Sequence, residues 1–392
     1  MKQFIVILLL SSGFFFFSCI TEFEPAGINE IKDILVVEGH ITEGKTRITL
    51  SKSVNLSDRF AEIFVDDAIV FVECDDGTRI QADDGSRDGR YTIQTAKLDS
   101  LRKYRLKIEI AEVDFDSNEC FMDEEEVLRC PRKTFEYCSD FSFPLKTPEI
   151  DSVFWMKEGK GHPIRIFAAT QSPENDVPFY RWSFREDWEI AADVLSYWEE
   201  FQYPRICYGS SIGEGLIFGS GEKGDFGQAV NLITEVSPKD RKIERTYRIT
   251  VYQNTISKRA HDYFANIKKN SPQTDNLFAP TPSDFRGNII CISDPRKPVI
   301  GYVDVSFTTQ KQLYISDYSI YEYFYRDWDC SSVEWRIVET SYDGYPQEMY
   351  VPYEWAWDPF GIPYILYINT LCIDCTNFGT TNKPDDWPDI IE

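Results

Sequence analysis

From residue 34 to residue 110 apolar and polar positions alternate in short runs. The first, Ile34-Leu35-Val36-Val37-Glu38-Gly39, is nearly all apolar. Thr46-Arg47-Ile48-Thr49-Leu50 and Tyr104-Arg105-Leu106-Lys107-Ile108-Glu109-Ile110 alternate at period two, as half-buried strands do. Residues 68–74 and Tyr91-Thr92-Ile93 complete the set. Between them stand Asp75-Asp76-Gly77, Asp83-Asp84-Gly85 and Asp88-Gly89, residues that form tight turns. Short strands, frequent turns and no helical period predict an Ig-like antiparallel β-sandwich over residues 34–147.

Residues 117–140 interrupt the pattern with Asp123, Glu124, Glu125 and Glu126 and hold Cys120, Cys130 and Cys138. They read as a solvated insertion stapled by one disulfide. Residues 148–392 form a larger β-rich domain, with strand signals at 163–168, 180–184, 246–251, 299–307, 335–338 and 363–368. One helix is predicted over 257–269. Ser257 is its N-cap, Ala260, Tyr263, Phe264 and Ile267 recur at helical spacing, and Lys268 and Lys269 suit its C-terminal end. There is no convincing internal repeat.

The first residues bear on the compartment. Met1 and Lys2 precede an apolar run over 4–17, which is short for a membrane span but suits a signal-peptide core. Ser18 then precedes Cys19, as in a bacterial lipobox, where the thiol is acylated and the chain is cut before it. The expected layout is a signal peptide at 1–18, then lipidated Cys19 and a tether to residue 33. An ordinary signal peptide cut elsewhere is the weaker alternative. Several acyl chains on one cysteine anchor a protein without a transmembrane helix.

Composition narrows the partners. The chain has 392 residues and a net charge of −24, which opposes binding to nucleic acid. Aromatics make up 15 % of the residues, ample for a core. Of the 10 cysteines, nine remain if Cys19 is acylated, so at least one thiol is unpaired. Cys74, within an apolar strand, is the expected buried free thiol. Cys120, Cys130, Cys138, Cys207, Cys291, Cys330, Cys372 and Cys375 are the disulfide candidates, with connectivity open.

Candidate chemistry is sparse. His40, His162 and His261 fall in no metal-binding or triad pattern, and His261 is expected to face solvent. Carboxylates alone can hydrolyse glycosides, but 65 acidic residues single out no pair. Cys372 and Cys375 have redox-motif spacing, yet Asn377, Gly379, Pro384 and Trp387 oppose the following helix such chemistry needs, so structural disulfides are favoured over redox or zinc. Gly219-Ser220-Gly221-Glu222-Lys223-Gly224 matches a dinucleotide fingerprint without the βαβ context, and the turn from Asp83 to Asp88 lacks the alternating oxygens of a calcium loop. No cofactor or metal is expected. Dense aromatics remain: Tyr321, Tyr323, Tyr325 and Trp328 in one run, and Trp355 and Trp357 with Tyr350 and Tyr353 in another. They suit contact with protein or glycan if exposed, and sandwich cores if buried.

Several segments together resemble an uncharacterised lipoprotein family of the Bacteroidota, known as a domain of unknown function. They are Leu35-Val36-Val37-Glu38-Gly39, Gly89-Arg90-Tyr91, Pro148-Glu149-Ile150-Asp151-Ser152-Val153 and Cys207-Tyr208. Further on come Tyr247-Arg248-Ile249-Thr250-Val251-Tyr252-Gln253, Asn276-Leu277-Phe278-Ala279-Pro280, Gly287-Asn288-Ile289-Ile290-Cys291 and Gly301-Tyr302. Cys372-Ile373-Asp374-Cys375 and Lys383-Pro384-Asp385-Asp386-Trp387 end the set, with Thr376 and Gly379-Thr380 where the family usually has Arg and two glycines. The insertion at 117–140 is not typical of it either. Such proteins are typically encoded beside SusC-like TonB-dependent transporters. The resemblance implies a lipid-anchored outer-membrane protein, facing outside, that serves such a transporter as a non-catalytic accessory or substrate-binding partner. Peptides, proteins or glycans would be its ligands. A surface hydrolase and a structural component of an outer-membrane complex are the alternatives.

Overall fold

The computed structural model describes residues 34–54, 63–83, 88–113, 120–122, 128–171, 178–196, 198–199, 201–213, 215–222, 229–269, 287–316, 320–322, 330 and 350–387. The chain is mainly β, in several mostly antiparallel sheets.

In the first sandwich, strands Leu35–His40, Gly44–Lys52 and Arg90–Thr95 make one sheet, with the short Ile63–Phe64 beside it. Strands Arg79–Gln81, Ile69–Cys74, Tyr104–Val113 and Arg132–Ser139 make the other, in that spatial order. Alternation places the side chains: Leu106, Ile108 and Ile110 enter the core, while the opposite face carries Glu73, held by Arg79 and Arg105, and Lys107, held by Glu109 and Glu136. Part of the stretch read as a solvated insertion is a sheet member. Strand Arg132–Ser139 pairs along Tyr104–Val113, its Tyr137 fully inside. Acidic neighbours masked that alternation. The hairpin Phe121–Met122 with Leu128–Arg129 does carry the expected staple, Cys120–Cys130.

The second sandwich repeats this connectivity without repeating the sequence. Its strands Ser152–Met156, Ile164–Thr170 and Ala229–Val236 form one sheet. The other runs Ile206–Ile212, Phe179–Ala191, Tyr247–Ile256, Thr308–Ile315, with Ile217–Ser220 pairing the remaining length of Phe179–Ala191. With the short Ile63–Phe64 and Ile217–Ser220 set aside, both sandwiches are therefore built three-plus-four with the same strand order. Topology follows from alternation and turn placement, which many sequences satisfy, so no repeat is legible in residue identities. Trp182, 2 % exposed, is central. Its Nε1 donates to Gln253 Oε1 at 2.9 Å. Gln253 also accepts from Thr170 Oγ1 and donates to the Pro148 carbonyl, so the polar atoms of this buried side chain are partnered.

The connection between the last two strands of the second sandwich returns to the first. It begins at Ser257, whose Oγ accepts from Ala260 N as an N-cap should. Helix Lys258–Lys269 follows, burying Ala260, Tyr263 and Phe264. His261 does not stand in solvent as expected. Its ring stacks on Phe179, with centroids 4.2 Å apart. Strand Ile289–Cys291 then joins Arg132–Ser139 antiparallel, and Val299–Gly301 joins Leu35–His40 in parallel. Each sheet of the first sandwich thus gains an edge strand from this strap. Ile289, Cys291, Val299, Val303 and Val305 all lie in the first core. Gly301 is required at its place: φ is +154°, and a Cβ would meet the Val37 carbonyl oxygen at 2.5 Å. The sandwich drawn from sequence as 34–147 is thus completed by residues well outside that span.

Polar contacts lock the junction. Thr42 Oγ1 and Thr308 Oγ1 are 2.7 Å apart, Arg181 donates to the Gly39 carbonyl, and Ser257 N donates to Asp304 Oδ2. Burial pushes the Asp304 carboxyl pKa up. His40 Nε2 meets Ser306 Oγ at 2.6 Å, and burial, with Arg181 nearby, brings its pKa down to about 3. The imidazole is therefore a neutral structural partner at physiological pH, not an acid or base poised for chemistry.

Candidate functional site

Two charged groups on strand Phe179–Ala191 are the first to weigh as a site. Glu186 accepts from Tyr247 Oη, Lys242 Nζ and Ser211 Oγ at 2.7, 2.7 and 2.9 Å. Burial, then the Glu186 carboxylate, pushes the Tyr247 phenol pKa up. On the other face Asp187, fully buried, pairs with Arg248 at 2.7 Å and Arg185 at 3.0 Å. Arg248 also donates to the Asp385 carbonyl and lies over the Trp387 ring, so the C-terminal segment closes on the sheet through it. Burial would lower the Arg248 pKa, but bonds to Tyr314 and Asp187 outweigh it and raise it. These groups are saturated with protein partners and read as structure. Asp187→Ala would strand a buried guanidinium, so a loss of about 3–5 kcal/mol is expected in urea unfolding.

The cysteines divide cleanly. Cys207 bonds Cys375 and Cys330 bonds Cys372, so Cys372 and Cys375 each bond a distant cysteine instead of each other. Cys74 is a buried free thiol, as expected. Cys138 and Cys291 were disulfide candidates and are not bonded: both are buried free thiols. Cys138 stands in register with Ile290 and Cys291 with Tyr137. Successive residues of a strand point to opposite faces, so the two thiols lie on opposite sides of one sheet. Among the described residues no group of His, Cys, Asp and Glu is placed to hold a metal ion.

The disulfides secure a different feature. Among the described residues, strands Tyr350–Trp357 and Pro363–Asn369 pair only with each other, as a two-stranded ribbon. Such a ribbon is marginal alone. Here Ile368, Cys372 and Ile373 bury against Val194, Tyr203, Val351 and Tyr353 at its base. Ser196 Oγ donates to the Tyr353 carbonyl and Tyr203 Oη to the Pro352 carbonyl. One face meets the loop after strand Phe179–Ala191 through two aromatic pairs, Phe201 with Trp355 at 6.3 Å and Trp198 with Trp357 at 6.2 Å. Exposure then rises toward the tip: Trp355 is half-buried, Trp357 is 57 % exposed, Ile362 62 % and Phe360 89 %.

The tip is held by its own chemistry. Asp358 Oδ1 accepts from Phe360 N and Ile362 N at 2.9 and 2.8 Å. The Asp358 carbonyl accepts from Gly361 N, and Asp358 N donates to the Ile362 carbonyl. Gly361 supplies the positive φ of +80°. A turn so braced presents Phe360 at low entropic cost for a partner. Trp355 and Trp357, singled out from sequence, do come together here. Tyr321 instead lies against the second core, and Tyr323, Tyr325 and Trp328 fall outside the described residues. Cys19 falls outside them too. Trp198, Phe201, Phe360 and Ile362 went unrecognised. The Asp358-Pro359-Phe360-Gly361 turn between two aromatic strands was the available signal.

Among the described residues no helix is long and apolar enough to cross a membrane. No curated protein matches the chain. Among solved structures it resembles a segment of two fibronectin type-III domains from chicken tenascin, at 9 % identity and a TM-score of 0.15, over 57 % of this chain and 90 % of that one. The model of one protein family, a domain of unknown function named DUF4249, matches residues 20–312 and so ends before the ribbon. That match spans most of the chain, which therefore belongs to the DUF4249 family.

Proposed function

We propose that this protein is a lipid-anchored outer-membrane protein that acts as a non-catalytic accessory of a SusC-like TonB-dependent transporter. Cys19 would carry the lipid, and residues 20–33 would form the tether. The observation that carries the reading is the ribbon, a braced, aromatic-tipped projection on a tandem of sandwiches, built to make contact instead of chemistry. Of the buried carboxylates described, Glu73, Glu186, Asp187 and Glu189 have cationic partners and Asp304 accepts from Ser257 N, which favours binding over hydrolysis. Peptide, protein or glycan delivered to the transporter would be the ligand. Affinity isolation of the tagged, acylated chain from detergent-solubilised outer membranes should recover a TonB-dependent transporter. Repeated recovery without one would overturn the proposal. Cys19→Ala should abolish palmitate labelling and release the chain from the membrane fraction.

A further inference from the structure

The ribbon shows an uncommon distribution of polarity. The exposure of its apolar side chains grows along its length toward the apex, from Leu366 and Ile368 at 4 % to Trp357 at 57 %, Ile362 at 62 % and Phe360 at 89 %. A groove in a protein selects a stripe, whereas a planar interface selects a gradient along its normal. Charge follows the same trend. Residues 350–369 include no Lys or Arg, and their two acids are Glu354 and Asp358.

The backbone of the tip is the second observation. From residue 358 to residue 363 every amide hydrogen is either bonded within the turn or absent. Asp358, Phe360, Gly361 and Ile362 donate to the turn itself, and positions 359 and 363 are prolines. The donors of this turn are met without water, and its remaining carbonyls can keep headgroup water. Backbone that enters apolar surroundings needs its polar groups partnered.

We infer that the apex, with Trp357, Phe360 and Ile362 leading, inserts shallowly into the interface of a lipid bilayer. The Asp358 carboxylate limits the depth to headgroup level. Trp suits that level, and Phe and Ile reach the acyl boundary. With no cation on the ribbon and a chain charge of −24, insertion gains nothing from anionic lipid. A zwitterionic surface is the fitting occupant. The inference takes its setting from the envelope location proposed above, but acts through separate residues and is measurable without lipidation or transporter.

The test uses residues 20–392 without an acyl group, mixed with phosphatidylcholine vesicles or with vesicles enriched in phosphatidylglycerol. Co-sedimentation should occur with phosphatidylcholine, persist in high salt and not increase with phosphatidylglycerol. Phe360→Ser should weaken partitioning by about tenfold or more, the scale set by burying one large apolar side chain. Trp357→Ser combined with Phe360→Ser should abolish it. Unfolding midpoints of Phe360→Ser should match the parent, because that side chain is almost wholly exposed. Failure to partition into either vesicle would overturn the inference. So would partitioning that requires phosphatidylglycerol or survives the double substitution. If vesicles fail while the double variant loses transporter in affinity isolation, the tip contacts protein, and the accessory proposal stands without this one.

Discussion

Residues 34–147 produced alone should show no cooperative unfolding transition, although they hold the seven main strands of a three-plus-four sandwich. The first core also contains Ile289, Val299, Val303 and Val305, each at most 7 % exposed. Burying one such side chain contributes about 1.5–3 kcal/mol. Losing four removes on the order of 6–12 kcal/mol, comparable to the ~5–15 kcal/mol by which a whole domain is stable. The fragment would also expose the outer edges of Leu35–His40 and Arg132–Ser139, inviting intermolecular pairing. Circular dichroism during urea titration should give a sloping signal for the fragment and a sigmoid for the full chain. Adding a peptide of residues 287–307 should restore structure in part. A sharp transition for the fragment alone, with a midpoint near that of the parent, would refute the shared core.

Replacing Cys207 and Cys375 by Ala together should lower stability by roughly 4–5 kcal/mol, the expectation for a crosslink closing a loop of this length. The bond joins residues 168 apart and ties strand Ile206–Ile212 to the segment after the ribbon. The same segment pairs Thr380 with Tyr208 through two backbone hydrogen bonds. Without the crosslink, the C-terminal segment should loosen from the sheet and free Arg248 from the Asp385 carbonyl. Guanidinium unfolding gives the magnitude. Limited proteolysis locates it, with new cuts expected near residues 376–387 before the strands of the second sandwich are attacked. Unchanged cutting and a loss under 1 kcal/mol would show that the crosslink is redundant with the packing of Trp387 and the Tyr208–Thr380 backbone pair.

Local features were legible from the residues. The alternation at 104–110 found a strand and its inward face together, and Ser257 with Ala260, Tyr263 and Phe264 marked the helix and its buried side. What escaped depends on partners distant in sequence. Val299 pairs with Leu35 across 264 residues and Ile289 with Ser139 across 150, with no turn to announce them. Strand Arg132–Ser139 was hidden by the acidic stretch before it, and the free state of Cys138 and Cys291 depends on a register that no local signal fixes. At the ribbon, Trp355 and Trp357 were found because aromatic density is a property of composition. Phe360 was missed because prominence at an apex is a property of three-dimensional exposure.

The strap also sets an order on biosynthesis. A sandwich whose strands all lie together can close soon after its last strand leaves the ribosome. This one waits for residues 289–305, roughly 150 residues behind Ser139, a delay on the order of ten seconds at ~5–20 residues per second. During that interval its half-finished sheets present open edges, and they need a chaperone or an unfolded passage to escape aggregation. The N-terminal part of this chain is thus made first and finished near the end.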